Sequence, residues 1–145
     1  MASHFEDECR KLSWARWQYA AGEFRSLKSE SPAIPPKHGV YLIRATSPLH
    51  RVEGVSDVVY IGQAGGGPRG GQQGIGPGNG GPGRLFNTRG PDKEVRERIE
   101  AIFSGKIFTL ECAFIEQGDP LEVEKRLLRA YFEDHGELPP ANHHG

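Results

Sequence analysis

Near the C-terminal end of the chain, Glu124 stands among Leu121, Leu127, Leu128 and Tyr131. On a helix this spacing sets the carboxylate in the middle of the stripe that faces the core. A carboxylate so placed is costly unless it is paired, hydrogen-bonded or bound to a cation. Two chemistries answer that cost: a buried salt bridge to an arginine, or a metal ligand or general acid/base at the bottom of a cleft. Periodicity does not separate them. Glu122, close behind Asp119, has a plain capping role instead. Cys9 and Cys112 lie too far apart for a metal motif and are too few for a disulfide framework. His143 and His144 read as a solvated terminal pair. The spaced glycines of Gly76 to Gly81 match a dinucleotide fingerprint only because glycine is so dense there.

The elements that position Glu124 follow from local pattern. Ser3 followed by Glu6 resembles a capping box, and Phe5, Cys9 and Leu12 recur at helical spacing. A helix is therefore expected from about Ser3 to Ser26, with Trp14, Trp17 and Tyr19 packed on the domain. Pro32, Pro35 and Pro36 make Ser31 to Lys37 an extended linker. Gly39 to Arg44 and Val58 to Gln63 are strands by their β-branched and aromatic content, joined as a hairpin through a turn region from Ser47 to Asp57. Residues 65–83 are dominated by glycine and are expected to form a mobile loop that buries little apolar surface.

Arg84-Leu85-Phe86 then opens a short helix or turn. Asp92 starts a longer helix with Val95, Ile99, Ile102 and Phe103 on one face and Arg96, Glu97, Arg98 and Glu100 as solvated charge on the other. Ile107 to Ile115 alternates as a third strand, with Phe108, Leu110, Cys112 and Phe114 buried and Thr109, Glu111 and Ala113 on a wetter face. Asp119-Pro120 starts the last helix, which runs to about Asp134.

A chain of 145 residues suits one domain. Its net charge of −1 gives no global signature of nucleic-acid binding. Between Gly66 and Lys106, however, basic residues outnumber acidic ones and make a weak local patch compatible with a phosphate backbone. No apolar run is long enough to span a membrane. Met1 to Arg10 is polar and acidic, unlike a signal peptide, which reads as cytoplasmic.

Gly39-Val40-Tyr41 and, one hairpin later, Tyr60-Ile61-Gly62 resemble the two tripeptides that name the GIY-YIG nuclease family. Arg84 followed by Leu85, Glu124 early in the last helix, and the ending Pro139 to Asn142 keep that family's order. The resemblance covers roughly Lys37 to Asn142. It implies an α+β fold, a small three-stranded antiparallel sheet flanked by helices, to which residues 1–36 add an N-terminal helix and linker ahead of a domain at 37–145.

The same resemblance implies an endonuclease that hydrolyses phosphodiester bonds with one divalent cation, Mg2+ or Mn2+. Glu124 would be its sole protein ligand, a hard oxygen donor suited to an ion that keeps most of its waters. Tyr41 would contact the attacking water. Its ordinary pKa of about 10 requires the cation to favour the phenolate. Arg84 would hold the scissile phosphate and neutralise charge in the transition state. Tyr60 would position phosphate or water, Gly62 would leave room for the nucleic-acid backbone, and Asn142 would anchor the floor of the site. Arg89 and His38 would be further substrate contacts, with Arg69 and Arg89 the substitutes for Arg84. Thr88 stands where many family members carry a histidine or tyrosine that assists the water.

Each residue also has a bland reading: the tyrosines as half-buried strand aromatics, Arg84 as the ion-pair partner of Glu124, Asn142 as a cap on the tail. Double-stranded DNA is the expected substrate ahead of RNA, and cutting both strands calls for a homodimer. The competing expectation is a domain of the same fold that binds nucleic acid or protein without cutting.

Overall fold

A computed structural model of the chain describes residues 3–20, 34–66, 74–76, 90–103 and 107–142. It is an α+β domain built on a four-stranded antiparallel sheet, one strand more than the sequence suggests. The strands are β1 (Ala15–Ala20), β2 (Gly39–His50), β3 (Val55–Ala64) and β4 (Ile107–Phe114), in the order β1-β4-β2-β3. The helices are α1 (His4–Cys9), α2 (Gly90–Phe103) and α3 (Pro120–His135), and a 3-10 turn spans Pro140–Asn142.

The extra strand comes from the segment expected to continue the first helix. Ser3 does cap α1 by accepting from the Glu6 amide, but the helix ends at Cys9. The Trp14 indole donates to the Cys9 carbonyl at 2.9 Å and closes that end. Residues 15–20 then pair with β4, Arg16 directly opposite Glu111 and Trp17 opposite Leu110. The spacing of Trp14 and Trp17 imitates a helix. Pairing with β4, far along the chain, overrides it.

Both faces of the sheet are covered. Tyr41, Ile43, Val59, Phe108, Leu110 and Cys112 pack with Ile34, Ile75, Ala141 and Ile99 of α2. On the opposite face, Val40, Leu42, Val58, Ile61 and Ala113 pack with Phe5 and Cys9 of α1 and with Val123, Leu127, Ala130 and Tyr131 of α3. The face expected to be wetter is therefore buried, Ala113 and Glu111 included. An irregularity in the β2–β3 register, where Ile43 faces Tyr60 but Arg44 faces Val58, inserts Val59 as an extra residue. It lets Val59 and Tyr60 both lie against the α2-side core.

Within the glycine-rich stretch, residues 74–76 are docked. The Ile75 amide donates to the Lys37 carbonyl at 2.9 Å and the Gly76 amide to the Pro35 carbonyl at 3.1 Å. Ile75 is fully buried. A Cβ on Gly74 would sit 2.1 Å from the Pro36 carbonyl carbon and one on Gly76 2.0 Å from the Ile34 carbonyl oxygen, so glycine is what allows the two backbones to meet. The rest of the stretch expected to be a mobile loop, residues 67–73 and 77–83, lies outside the described residues.

Candidate active site

Tyr41 and Tyr60 come together through strand register. Tyr41 faces Gly62 and Ile43 faces Tyr60, so the tyrosines are diagonal neighbours on one face of the β2–β3 hairpin. Their ring centroids are 5.8 Å apart with planes tilted by 39°. Gly62 lies between them. A Cβ there would sit 2.5 Å from Tyr41 Cζ, 2.7 Å from Tyr41 Oη and 2.6 Å from Tyr60 Cε2. The room left by the missing side chain is thus filled by the two rings, not held open for a substrate backbone. Tyr41 is buried at 5% exposure, whereas Tyr60 is half-buried.

β3 is an edge strand, and its outward backbone groups at Ile61 need partners. Asn142 supplies both. Its Oδ1 accepts from the Ile61 amide and its Nδ2 donates to the Ile61 carbonyl, each at 2.8 Å. Asn142 is 6% exposed. Its 3-10 turn is closed by the bond from its own amide to the Pro139 carbonyl at 3.0 Å. The asparagine therefore holds the residue between Tyr60 and Gly62.

Arg98 of α2 holds the same turn. Its Nε and Nη2 both donate to the Ala141 carbonyl, at 3.1 and 3.0 Å. The sequence offered Arg98 as solvated charge. The helical pattern could not show that a carbonyl from the far end of the chain ends beside it.

Glu124 lies in the second turn of α3, half-buried. The fully buried stripe is Pro120, Val123, Leu127, Ala130 and Tyr131. This places Glu124 on the flank of the core-facing side rather than at its centre. The difference is one helical position: Val123 and Ala130 carry the buried stripe, and Leu121 and Leu128 share the half-buried flank with Glu124. That flank meets the end of β3. A Cβ on Gly66 would fall 2.3 Å from the Leu121 nitrogen and 2.7 Å from Leu121 Cβ, and Glu124 is one turn beyond Leu121. Asp119 caps this end of α3 by accepting from the Leu121 amide at 3.0 Å, with Pro120 in the first turn.

His38 precedes β2 at the same end of the hairpin, its ring lying against Gly65, whose φ of +86° suits glycine. Arg84, Arg89, Arg69, Thr88, His143 and His144 lie outside the described residues. A cavity of about 490 Å3 between Arg51, Phe132 and Pro139–Pro140 lies by the turn of the hairpin and is lined by none of the expected site residues. Among the described residues, no group of three or more His, Cys, Asp or Glu side chains is placed to hold a metal ion. Nor is any helix among them long and apolar enough to cross a membrane.

The strongest charge cluster lies elsewhere. Glu111 of β4, 3% exposed, accepts from Arg16 Nε and Nη2 at 3.0 and 2.6 Å and from Arg44 Nε. Arg44 also donates to Asp57 at 2.8 Å. Burial opposes ionisation of Glu111, but the hydrogen bonds from Arg16 and Arg44 outweigh it and hold its carboxyl below the usual range. This network ties β1 to β4 and β2, a structural role. Burial likewise pushes the Cys9 and Cys112 thiols up to about 12, so both are inert core residues.

No protein-family model matches the chain, and no curated protein or solved structure matches it either.

Proposed function

We propose that the chain is a metal-dependent endonuclease of the GIY-YIG type, acting on phosphodiester bonds of double-stranded DNA. The observation that carries this reading is the convergence of Tyr41 and Tyr60 about Gly62, on a strand whose intervening residue is clamped by Asn142. The tyrosine tripeptides supply the pair, and the asparagine of the ending supplies the clamp. The helix carrying Glu124 packs its first turn against Gly66, two residues past the end of that same strand.

A half-buried carboxylate fits Mg2+ or Mn2+, ions that are commonly held by one or two carboxylates, water and substrate phosphate rather than an all-protein cage. Glu124 would be the protein ligand. When bound, the cation supplies Lewis-acid stabilisation of phosphoryl oxygens and lowers the pKa of a coordinated water. The Tyr41 hydroxyl would orient the attacking water and accept its proton as a phenolate. Tyr60 would orient water or phosphate from the adjacent position. Arg84 would neutralise charge on the phosphate, with Arg89 and His38 as further substrate contacts.

A second reading is a catalytically weak or inactive domain of this fold that binds nucleic acid or protein. The 5% exposure of Tyr41 favours it, because a buried phenol is poorly placed to meet a water. Plasmid DNA incubated with and without Mg2+ separates the two. The nuclease reading expects metal-dependent nicking that is lost in Glu124→Ala and Tyr41→Phe. Salt-sensitive DNA binding with no metal-dependent product establishes the second. Undiminished cutting by Glu124→Ala would remove the metal-ligand role.

A further inference from the structure

We infer that Arg98 is a positioning residue for the tyrosine pair, acting through Asn142. The chain of contacts is continuous. Arg98 on α2 donates both Nε–H and Nη2–H to the Ala141 carbonyl. That carbonyl belongs to the 3-10 turn that presents the Asn142 amide. The amide makes both bonds with Ile61, and Ile61 stands between Tyr60 and Gly62 in β3. Gly62 in turn faces Tyr41.

The turn depends on such a hold. It is three residues long, has one backbone bond of its own from Asn142 to Pro139, and begins at Pro140 directly after Pro139, two residues whose nitrogens donate nothing. A helix as short as this has little stability from its own hydrogen bonds. Two charge-assisted donors on one carbonyl fix it against α2, and the burial of Ala141 beside Ile99 and Tyr41 does the rest. The planar guanidinium matters, since lysine offers a single flexible ammonium in place of two parallel N–H groups. Loss of the fork leaves Asn142 able to drift, and with it the strand segment that carries Tyr60.

The kinetic arm of the test rests on the nuclease reading, and the exchange arm does not. Amide hydrogen exchange at Ile61 reports its bond to Asn142, while exchange at Ile115 reports its bond to the His38 carbonyl at 3.0 Å in the same sheet. In Arg98→Met, which keeps the stem and removes the fork, Ile61 exchange is expected to accelerate at least about tenfold relative to Ile115. Arg98→Lys should fall between Met and the parent. The 13C shift of the Tyr60 ring moves in the same order. With Mg2+ and plasmid DNA, kcat is expected to fall about tenfold while KM stays within about threefold.

Equal acceleration at Ile61 and Ile115, or none at Ile61, overturns the inference. If Arg98→Met does not fold, Arg98→Lys decides on the same comparison. If the parent protein cuts no DNA, the nuclease reading fails, and the exchange ratio with the Tyr60 shift still decides the role of Arg98.

Discussion

Asn142 makes with Ile61 both of the hydrogen bonds that a neighbouring strand would make, one in each direction at 2.8 Å. The edge of β3 is thereby closed by a side chain from the end of the chain. Asn142→Ala leaves a buried donor and acceptor unpaired and should destabilise the fold by about 1–3 kcal/mol. Asn142→Asp keeps the acceptor but turns a buried carboxylate oxygen toward the Ile61 carbonyl, so at pH 7 it should destabilise at least as much as Asn142→Ala. Urea unfolding monitored by tryptophan fluorescence measures the order.

Gly62 is constrained by the two aromatic rings beside it. Gly62→Ala puts a methyl group inside the contact distance of Tyr41 Cζ and Tyr60 Cε2. Relieving that overlap displaces rings in a packed sheet, at a cost of about 1–3 kcal/mol. Near-ultraviolet circular dichroism should change with it, because the tilted ring pair is broken. Unchanged stability together with an unchanged tyrosine spectrum would contradict the packing described.

Ile75 anchors the glycine-rich stretch by burying its whole side chain beside Ile34 and Tyr41. Ile75→Ala should destabilise the domain by about 2–5 kcal/mol, as for other fully buried isoleucines. A surface loop residue would cost a few tenths. Thermal unfolding separates these outcomes clearly.

Acid should weaken the fold through Glu111 and Asp134. Burial works against ionisation of both, but hydrogen bonds win: from Arg16 and Arg44 to Glu111, and from Ser3 and the Phe5 and His4 amides to Asp134. Both folded-state pKa values are therefore lowered. The unfolded chain then takes up protons first, so this stability is complete above the ordinary carboxylate values of about 4. It is lost as pH falls below them and through the lowered folded values. Unfolding free energy followed from pH 7 to pH 3 should drop in that window for the parent, as ~4 marks the unfolded carboxylates, and less steeply for Glu111→Gln.

If the proposed activity holds, Mg2+-dependent cleavage by Glu124→Ala falls at least about a hundredfold, the rate equivalent of about 2.7 kcal/mol of lost charge stabilisation. Chelation of the metal with EDTA should abolish the parent's cleavage and be reversed by added Mg2+. A gel assay of plasmid nicking reads both.

Local sequence determined what depends on neighbours a few residues apart. The β-branched run around Tyr41 and Tyr60 made a hairpin, Asp119-Pro120 started α3, and Gly136, at a φ of +73°, ended it. The period of two set Tyr60 and Gly62 on one face of their strand, whereas the pairing of β2 with β3 decided that Tyr41 shares it. Tertiary structure decided the rest. The segment after Cys9 became a strand because β4 offered Glu111 to Arg16 and a ladder to its backbone, a partner no local pattern reveals. Glu111 itself looked solvent-facing by alternation, yet α1 and α3 cover that side. Ile75 in its run of glycines, Arg98 on its charged face, and Asn142 near the chain end acquired roles from groups dozens of residues distant. Periodicity reports which side of an element is apolar. It does not report what comes to lie against that side, and that is settled only when the long-range pairings form.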